Sequence, residues 1–348
     1  MSKHVLRTYF CCALLLISAA QLACHKKAQV AQVSPAPAPP LDKPDIVLAP
    51  AKPSFKFVAY GDIRFTAPGP VTVREVSNPI ARDAIVADIV KQKPEFVLIS
   101  GDLVWRGANE ADWRRYDQEI QPLTDAKVPI FPTVGNHEYL NSDFVGNGRS
   151  QGLRNFFARF PQLPDRPATP WYSIQYGNCY FLMLDSEDDD APGSQQMIWV
   201  QHQLDSLPNT TDYVFLMLHR PPHTAAHDGG HRERLPEIEL GRMLEARQQR
   251  APRPRFIVIA GHVHNYERYQ RNGVTYIVSG GGGAHPHPLT RGADDLYHPQ
   301  DSREVEYHYC LITVDQGKLR FEMRRLEDAA SARFAVRDSV EMNYASGP

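Results

Sequence analysis

Five continuous apolar runs recur along the chain, FKFVAYGD, PEFVLISGD, VPIFPTVGN, DYVFLMLH and RFIVIAGH, each closing on a polar residue. Runs of this kind, without alternation, predict strands buried on both faces. Between them, residues 80–91, 110–123, 195–207 and 236–249 predict helices. Strands separated by helices argue for βαβ units and largely parallel sheet. Two stretches break that rhythm, WYSIQYGNCYFLMLDS and YCLITVDQGKLRFEMRRL, where YGN and DQG supply turn chemistry between apolar runs and predict hairpins. The sheet is then mixed, or there are two sheets packed together. No internal repeat is found between Ser54 and Leu326, and from Ala329 the chain is polar, weakly patterned and expected to form a loose tail.

A chain of 348 residues suffices for one large domain or two small ones. Its 38 basic and 40 acidic residues give no basic surface that would argue for nucleic acid. The start changes the picture. Lys3, His4 and Arg7 precede YFCCALLLISAA, an apolar run of 12 residues, too short to span a bilayer and suited to an export signal. QLAC then places Cys24 before a segment rich in Ala, Pro and Lys, which resembles a bacterial lipoprotein start with a tether holding a domain off the membrane. Gln21 stands where such signals usually carry Leu, so cleavage after Ala20 or Ala23 without lipidation is the alternative. The expected organisation is a signal peptide over 1–23, a tether over 24–53, a catalytic domain over 54–328 and a tail over 329–348. That places the domain in the periplasm or attached to the outer membrane through Cys24. Cys179 and Cys310, both within apolar strand-like runs, are read as two buried thiols rather than a bridge.

The candidate chemistry lies where the five apolar runs end: Asp62, Asp102, Asn136-His137-Glu138, His219, and His262 with His264. The carboxyl ends of parallel strands converge on one crevice, so these side chains are expected to meet. Carboxylate, amide and imidazole without thiolate suit Zn, Mn, Fe or another hard-to-borderline divalent ion.

In this order the motifs resemble those of the calcineurin-like metallophosphoesterases: Gly-Asp, Gly-Asn-His-Glu, a single His and Gly-His-x-His, over most of Phe55 to Gly283. GHVHNYERY and GVTYIVSGGGGA are similar to the purple acid phosphatase branch. The resemblance implies a four-layer α/β/β/α sandwich of two mixed sheets flanked by helices, of the metallo-dependent phosphatase type. It implies two divalent or mixed-valence ions about 3.5 Å apart, the first on Asp62, Asp102 and His264, the second on Asp102, Asn136, His219 and His262. It further implies in-line attack on a phosphate ester by a metal-bridging hydroxide, with His137 as phosphate-stabilising donor or general acid and Glu138 as its orienting neighbour. Histidines on the loop after His219 would reach the substrate phosphate, which singles out His227 and His231.

Two departures stand out. The first motif carries Arg64 where the family has histidine, and Trp105 occupies the position from which purple acid phosphatases draw a tyrosine ligand. Neither guanidinium nor indole can ligate a cation. The first metal is left with three protein ligands, a workable open site, and is expected to be the more exchangeable. Arg64 is then read as acting on the substrate, its fork matching a pair of phosphate oxygens. The other reading pairs Arg64 with a carboxylate such as Asp185 or Glu138. His285 and His287, after the glycine run, and the acidic SEDDDAPG are read as solvated. Phosphomonoesters are the first expectation, nucleotide or lipid-headgroup diesters the second. A degenerate surface lipoprotein that binds metal or phosphate without turnover is the alternative of another class.

Overall fold

The computed structural model describes residues 43–49, 51–66, 77–142, 147–166, 169–227, 230–299 and 307–343. The expected signal peptide and Cys24 lie outside the described residues.

Thirteen strands among the described residues form two mixed sheets. The first, in spatial order, joins β1 (Ile46–Val47), β5 (Tyr172–Tyr176), β6 (Cys179–Met183), β7 (Tyr213–Leu218), β8 (Arg255–Ala260), β10 (Val274–Ser279) and β9 (Tyr266–Arg271). The second joins β13 (Arg333–Asn343), β12 (Lys318–Asp328), β11 (His308–Asp315), β2 (Ser54–Tyr60), β3 (Val97–Ile99) and β4 (Ile130–Pro132). The five apolar runs are β2, β3, β4, β7 and β8. Within the second sheet β2, β3 and β4 run parallel, and within the first β6, β7, β8 and β10 do. Both expected hairpins form, β5–β6 and β11–β12.

The inner faces of the two sheets meet in one core. Phe57 of β2 sits edge-on to Phe181 of β6 and Phe215 of β7, with centroids 5.3 and 5.1 Å away. Edge-to-face packing of this kind adds to the gain from area buried. The outer face of the first sheet buries Leu182, Val214, Leu216 and Val258 against Trp199, Leu240 and Leu244 of its helices.

Helix boundaries follow from capping. Asn78 accepts from the amides of Ile80 and Ala81 and Pro79 opens α1 (Pro79–Gln92), which ends where Lys93 turns left-handed. Asn109 caps α2 (Glu110–Glu119), and α3 (Gln121–Asp125) continues it after a break. A further helix, α4 (Arg149–Arg159), lies within a segment the sequence left unread. Ser194 caps α5 (Gln195–Asp205), and α6 (Leu235–Arg250) closes the set.

Two boundary expectations need correction. The segment from Ala329 is not a loose tail as far as the described residues reach, because Arg333–Asn343 form β13, which pairs along β12. Its exposed, charge-rich side chains hid it, since an edge strand needs no continuous apolar run. Likewise Ile46–Val47, within the segment assigned to the tether, adds to the edge of β5. Cys179 and Cys310 are free and buried, in different sheets.

Candidate metal centre

The turns after β2, β3, β4, β7 and β8 bring Asp62, Asp102, Asn136, His219, His262 and His264 to one place. One ligand atom each from Asp62, Asp102 and His219 lie within 4.8 Å of one another, and all three residues are buried. Asp62, Arg64, Asp102 and His262 take left-handed backbone angles, φ between +52° and +70°. Such conformations cost about 1–3 kcal/mol each and persist only where the surroundings enforce them. Here the enforcement is main chain against side chain. Gly135 packs on Asp102 Oδ1 and Gly261 on Asp62 Oδ2 so closely that a Cβ at either would overlap the oxygen.

On one side of the centre four acceptor atoms converge. His219 Nε2 is 3.1 Å from Asn136 Oδ1, 3.3 Å from Asp102 Oδ1 and 3.2 Å from His262 Nδ1. The far nitrogen of His219 donates to the Ser100 carbonyl at 2.8 Å, which leaves Nε2 with a lone pair aimed inward. His262 Nε2 is 2.8 Å from the Gly230 carbonyl, with Arg220 Nη1 competing at 2.8 Å. On the other side His264 donates Nδ1–H to the His285 carbonyl at 2.7 Å, and its Nε2 faces Asp62 Oδ1 across 3.4 Å. Both of those atoms are buried without a hydrogen-bond partner. Two buried acceptors facing each other are costly unless a cation or a proton joins them. Oxygen and imidazole acceptors held in this way fit a divalent ion of the Zn, Mn or Fe type.

Electrostatics divide the carboxylates. Burial pushes Asp62 up to about 6. Burial also acts on Asp102, but His137, His219 and Arg64 outweigh it and hold that carboxyl well below the usual range. Burial drives His262 and His264 far down, so both rings are neutral and able to ligate.

His137 lies beside this group. Its amide donates to Asp102 Oδ1 at 3.0 Å, its Nδ1 donates to the Trp105 carbonyl at 2.7 Å, and its ring stacks on Trp105 at 4.7 Å. Trp105 therefore serves as a platform, with the Arg64 guanidinium 5.3 Å from the same ring. Arg64 pairs with Asp102 Oδ2 at 3.3 Å, not with Asp185 or Glu138. Glu138 is fully buried and accepts from the amides of Asp102, Leu103, Val104 and Gly135, stitching the β3 and β4 turns together.

The loop after β7 places His231 at the centre, 4.8 Å from the His262 ring, and leaves His227 exposed. His287, read as solvated from sequence, is instead part of the cluster, with its ring 4.0 Å from His264 and 4.2 Å from His231. Its signal was the strand before it: β10 runs parallel to β8, so the glycines after it reach the same rim. Arg220, also unread, forks onto Glu187, so the start of SEDDDAPG is tied to the centre rather than free in solvent.

Known proteins resemble this chain. The sequence profile described as calcineurin-like phosphoesterase matches residues 55–266. A probable purple acid phosphatase 20 of Arabidopsis thaliana is 26% identical over 304 residues, covering 84% of this chain and 66% of that one. A nucleotide pyrophosphatase/phosphodiesterase of Hordeum vulgare is 26% identical over 275 residues, covering 71% and 72%. The solved structure of purple acid phosphatase PPD1 from yellow lupin (Lupinus luteus) seeds superposes with a TM-score of 0.63 at 21% identity, covering 83% of this chain and 54% of that one. The chain thus spans just under two thirds of the Arabidopsis relative and about half of the lupin protein. With the profile matching well over half of its length, the chain belongs to the calcineurin-like phosphoesterase family.

Proposed function

We propose that this chain hydrolyses phosphate esters, phosphomonoesters by preference, in a metal-dependent reaction at the centre around Asp102. The observation that carries the reading is the convergence of buried acceptors, with Asp62 Oδ1 and His264 Nε2 left facing each other across 3.4 Å. Divalent cations held by Asp62, Asp102 and His264 on one side and by Asp102, Asn136, His219 and His262 on the other would supply Lewis-acid activation of water and of the phosphoryl group.

The chain's own groups do the rest. His137 has committed Nδ1–H to Trp105, so Nε2 is the nitrogen left for the ester. Burial and the Arg64 charge push His137 down to about 4, and the ring is neutral before substrate arrives. An anionic ester beside it favours the protonated ring, which then hands its proton to the leaving oxygen. Arg64 beside His137, and His231 and His287 beside His262 and His264, add donors around the centre, a set better matched to a dianionic monoester than to a singly charged diester.

The Hordeum relative, by its name a pyrophosphatase and phosphodiesterase, favours diesters as the second reading. Chelator-stripped protein reloaded with Mn²⁺ or Zn²⁺ is to be assayed on p-nitrophenyl phosphate and its bis ester. Faster monoester turnover that falls by about 10²–10⁴-fold in His137→Ala, with metal content retained, supports the first reading. A reversed preference supports the second, and a fully metallated protein inert to both esters sinks each of them.

Export with lipidation at Cys24 is also proposed, supported by the charged start, the short apolar run and the Ala/Pro-rich segment that follows. Palmitate labelling of the natural chain that disappears in Cys24→Ser is the expected result. A processed but unlabelled protein would mean export without an anchor.

A further inference from the structure

The two oxygens of Asp102 have different partners. Oδ1 takes the His137 amide at 3.0 Å and stands 3.3 Å from His219 Nε2. Oδ2 instead holds Arg64 Nη2 at 3.3 Å. His137 Nε2 lies 3.7 Å from the same oxygen, and a cation that took Oδ2 as its third acceptor beside Asp62 and His264 would meet the Arg64 charge already engaged there.

The main chain of Arg64 is clamped while its head is lightly held. Its amide donates to the Asp102 carbonyl at 3.0 Å. Its own carbonyl accepts from Thr66 Oγ1 at 2.8 Å, Ser77 Oγ at 2.9 Å and Arg82 Nη1 at 3.2 Å. Arg82 is itself buried and held in place by its fork onto Glu119, so a shift at the base of Arg64 would lose the Arg82 hydrogen bond. Among the described residues the guanidinium has only the long contact to Oδ2 and the face of Trp105, and no acceptor reaches its buried Nε. A fixed base with spare donor capacity at its tip can exchange partners without moving the backbone.

We infer that Arg64 gates the Asp62–His264 half of the centre: the guanidinium covers Asp102 Oδ2 until a phosphate group draws it away, and only then can that oxygen serve a second cation. This rests on the phosphoesterase reading and adds to it a coupling between substrate and metal loading. A carboxylate oxygen engaged by guanidinium donates poorly to a divalent ion, and the two cations repel. A phosphate offers the fork two oxygens in matching geometry and neutralises it. By linkage the second cation must raise phosphate affinity by the same factor.

The test is a calorimetric titration of Mn²⁺ into the chelator-stripped whole chain, with and without inorganic phosphate, for the natural protein, Arg64→Met and Arg64→Lys. The natural protein is expected to bind one ion tightly whether or not phosphate is present. Its second ion should bind more weakly and gain about tenfold with phosphate, or ~1.4 kcal/mol. Arg64→Met is expected to tighten the second ion about tenfold in the absence of phosphate and leave the first unchanged, whereas Arg64→Lys, which keeps the charge, leaves the second ion weak. Second-ion affinity without phosphate that is equal or lower in Arg64→Met overturns the gate, since an arginine serving only the substrate would give that result. Should Met destabilise the left-handed position, Arg64→Gly suits that backbone, and an unchanged first ion certifies the fold. Turnover of aryl phosphate by the same samples separates the two claims. An active natural enzyme with no change in second-ion affinity sinks the gate alone, and the gate without turnover sinks the phosphoesterase reading alone.

Discussion

The Asn136–His219–His262 side of the centre and the Asp62–His264 side share Asp102 but are supported differently. On the first side the atoms come from the ends of β4, β7 and β8 and crowd within 3.1–3.3 Å of His219 Nε2, whose ring is oriented by the Ser100 carbonyl. On the second, the two unpartnered acceptors sit 3.4 Å apart and the third is covered by a side chain that other partners can attract. Both sides have a histidine oriented by a backbone carbonyl, His219 by Ser100 and His264 by His285, but only the second has an acceptor covered by a side-chain charge. Preorganisation fixes affinity, whereas a movable charge lets affinity depend on what else is bound.

The contrast breaks most decisively at His219. His219→Ala removes the atom around which the first side is arranged, so the tightly held ion and all turnover are expected to be lost. Metal content by emission spectrometry and an aryl phosphate assay read both. His264→Ala comes next: one ion equivalent should remain and the other disappear, and loss of both would show that the sides do not fill independently. Glu138→Gln tests the stitching beneath both sides. An amide oxygen cannot serve four backbone donors, so stability in urea should fall by about 1–3 kcal/mol and ion affinity by about 10–100-fold. Trp105→Phe is the smallest perturbation. It keeps the carbonyl that orients His137 and thins the surface under Arg64, worth about 0.5–1 kcal/mol, and is expected to move KM a few-fold with kcat held.

Much of this was legible in the sequence because burial on both faces leaves a continuous apolar signature, and β2, β3, β4, β7 and β8 are of that kind. Their terminal polar residues could be read as a group because parallel strands deliver them to one rim. Four helical stretches were legible too, and in the structure three of them start at the caps Asn78, Asn109 and Ser194, whereas α4 had no reading in the sequence. Illegible elements had other sources of order. Strand β13 is held by pairing with β12 rather than by burial, and its sequence RFAVRDSVEMN alternates charge with modest apolarity. His287 arrives by way of the β9–β10 hairpin, which returns the chain to β8, so the strand before it was its one sign and the register was set by tertiary pairing. The alternative reading of Arg64, pairing with a carboxylate, named Asp185 and Glu138 as examples where the structure has Asp102, because the left-handed turn at residue 64 decides where its side chain goes. Local sequence does not write that angle when the residue is not glycine.

The bare backbone at Gly135 and Gly261 carries a consequence for anyone who would transplant the centre. The oxygens of Asp102 and Asp62 are walled in by peptide planes lying where a methyl group would not fit. Copying the six acceptor side chains onto another scaffold would reproduce the inventory and lose the wall, leaving carboxylates free to rotate and water free to enter. The portable unit is therefore a set of side-chain-free turns, and the acidic residues are its cargo.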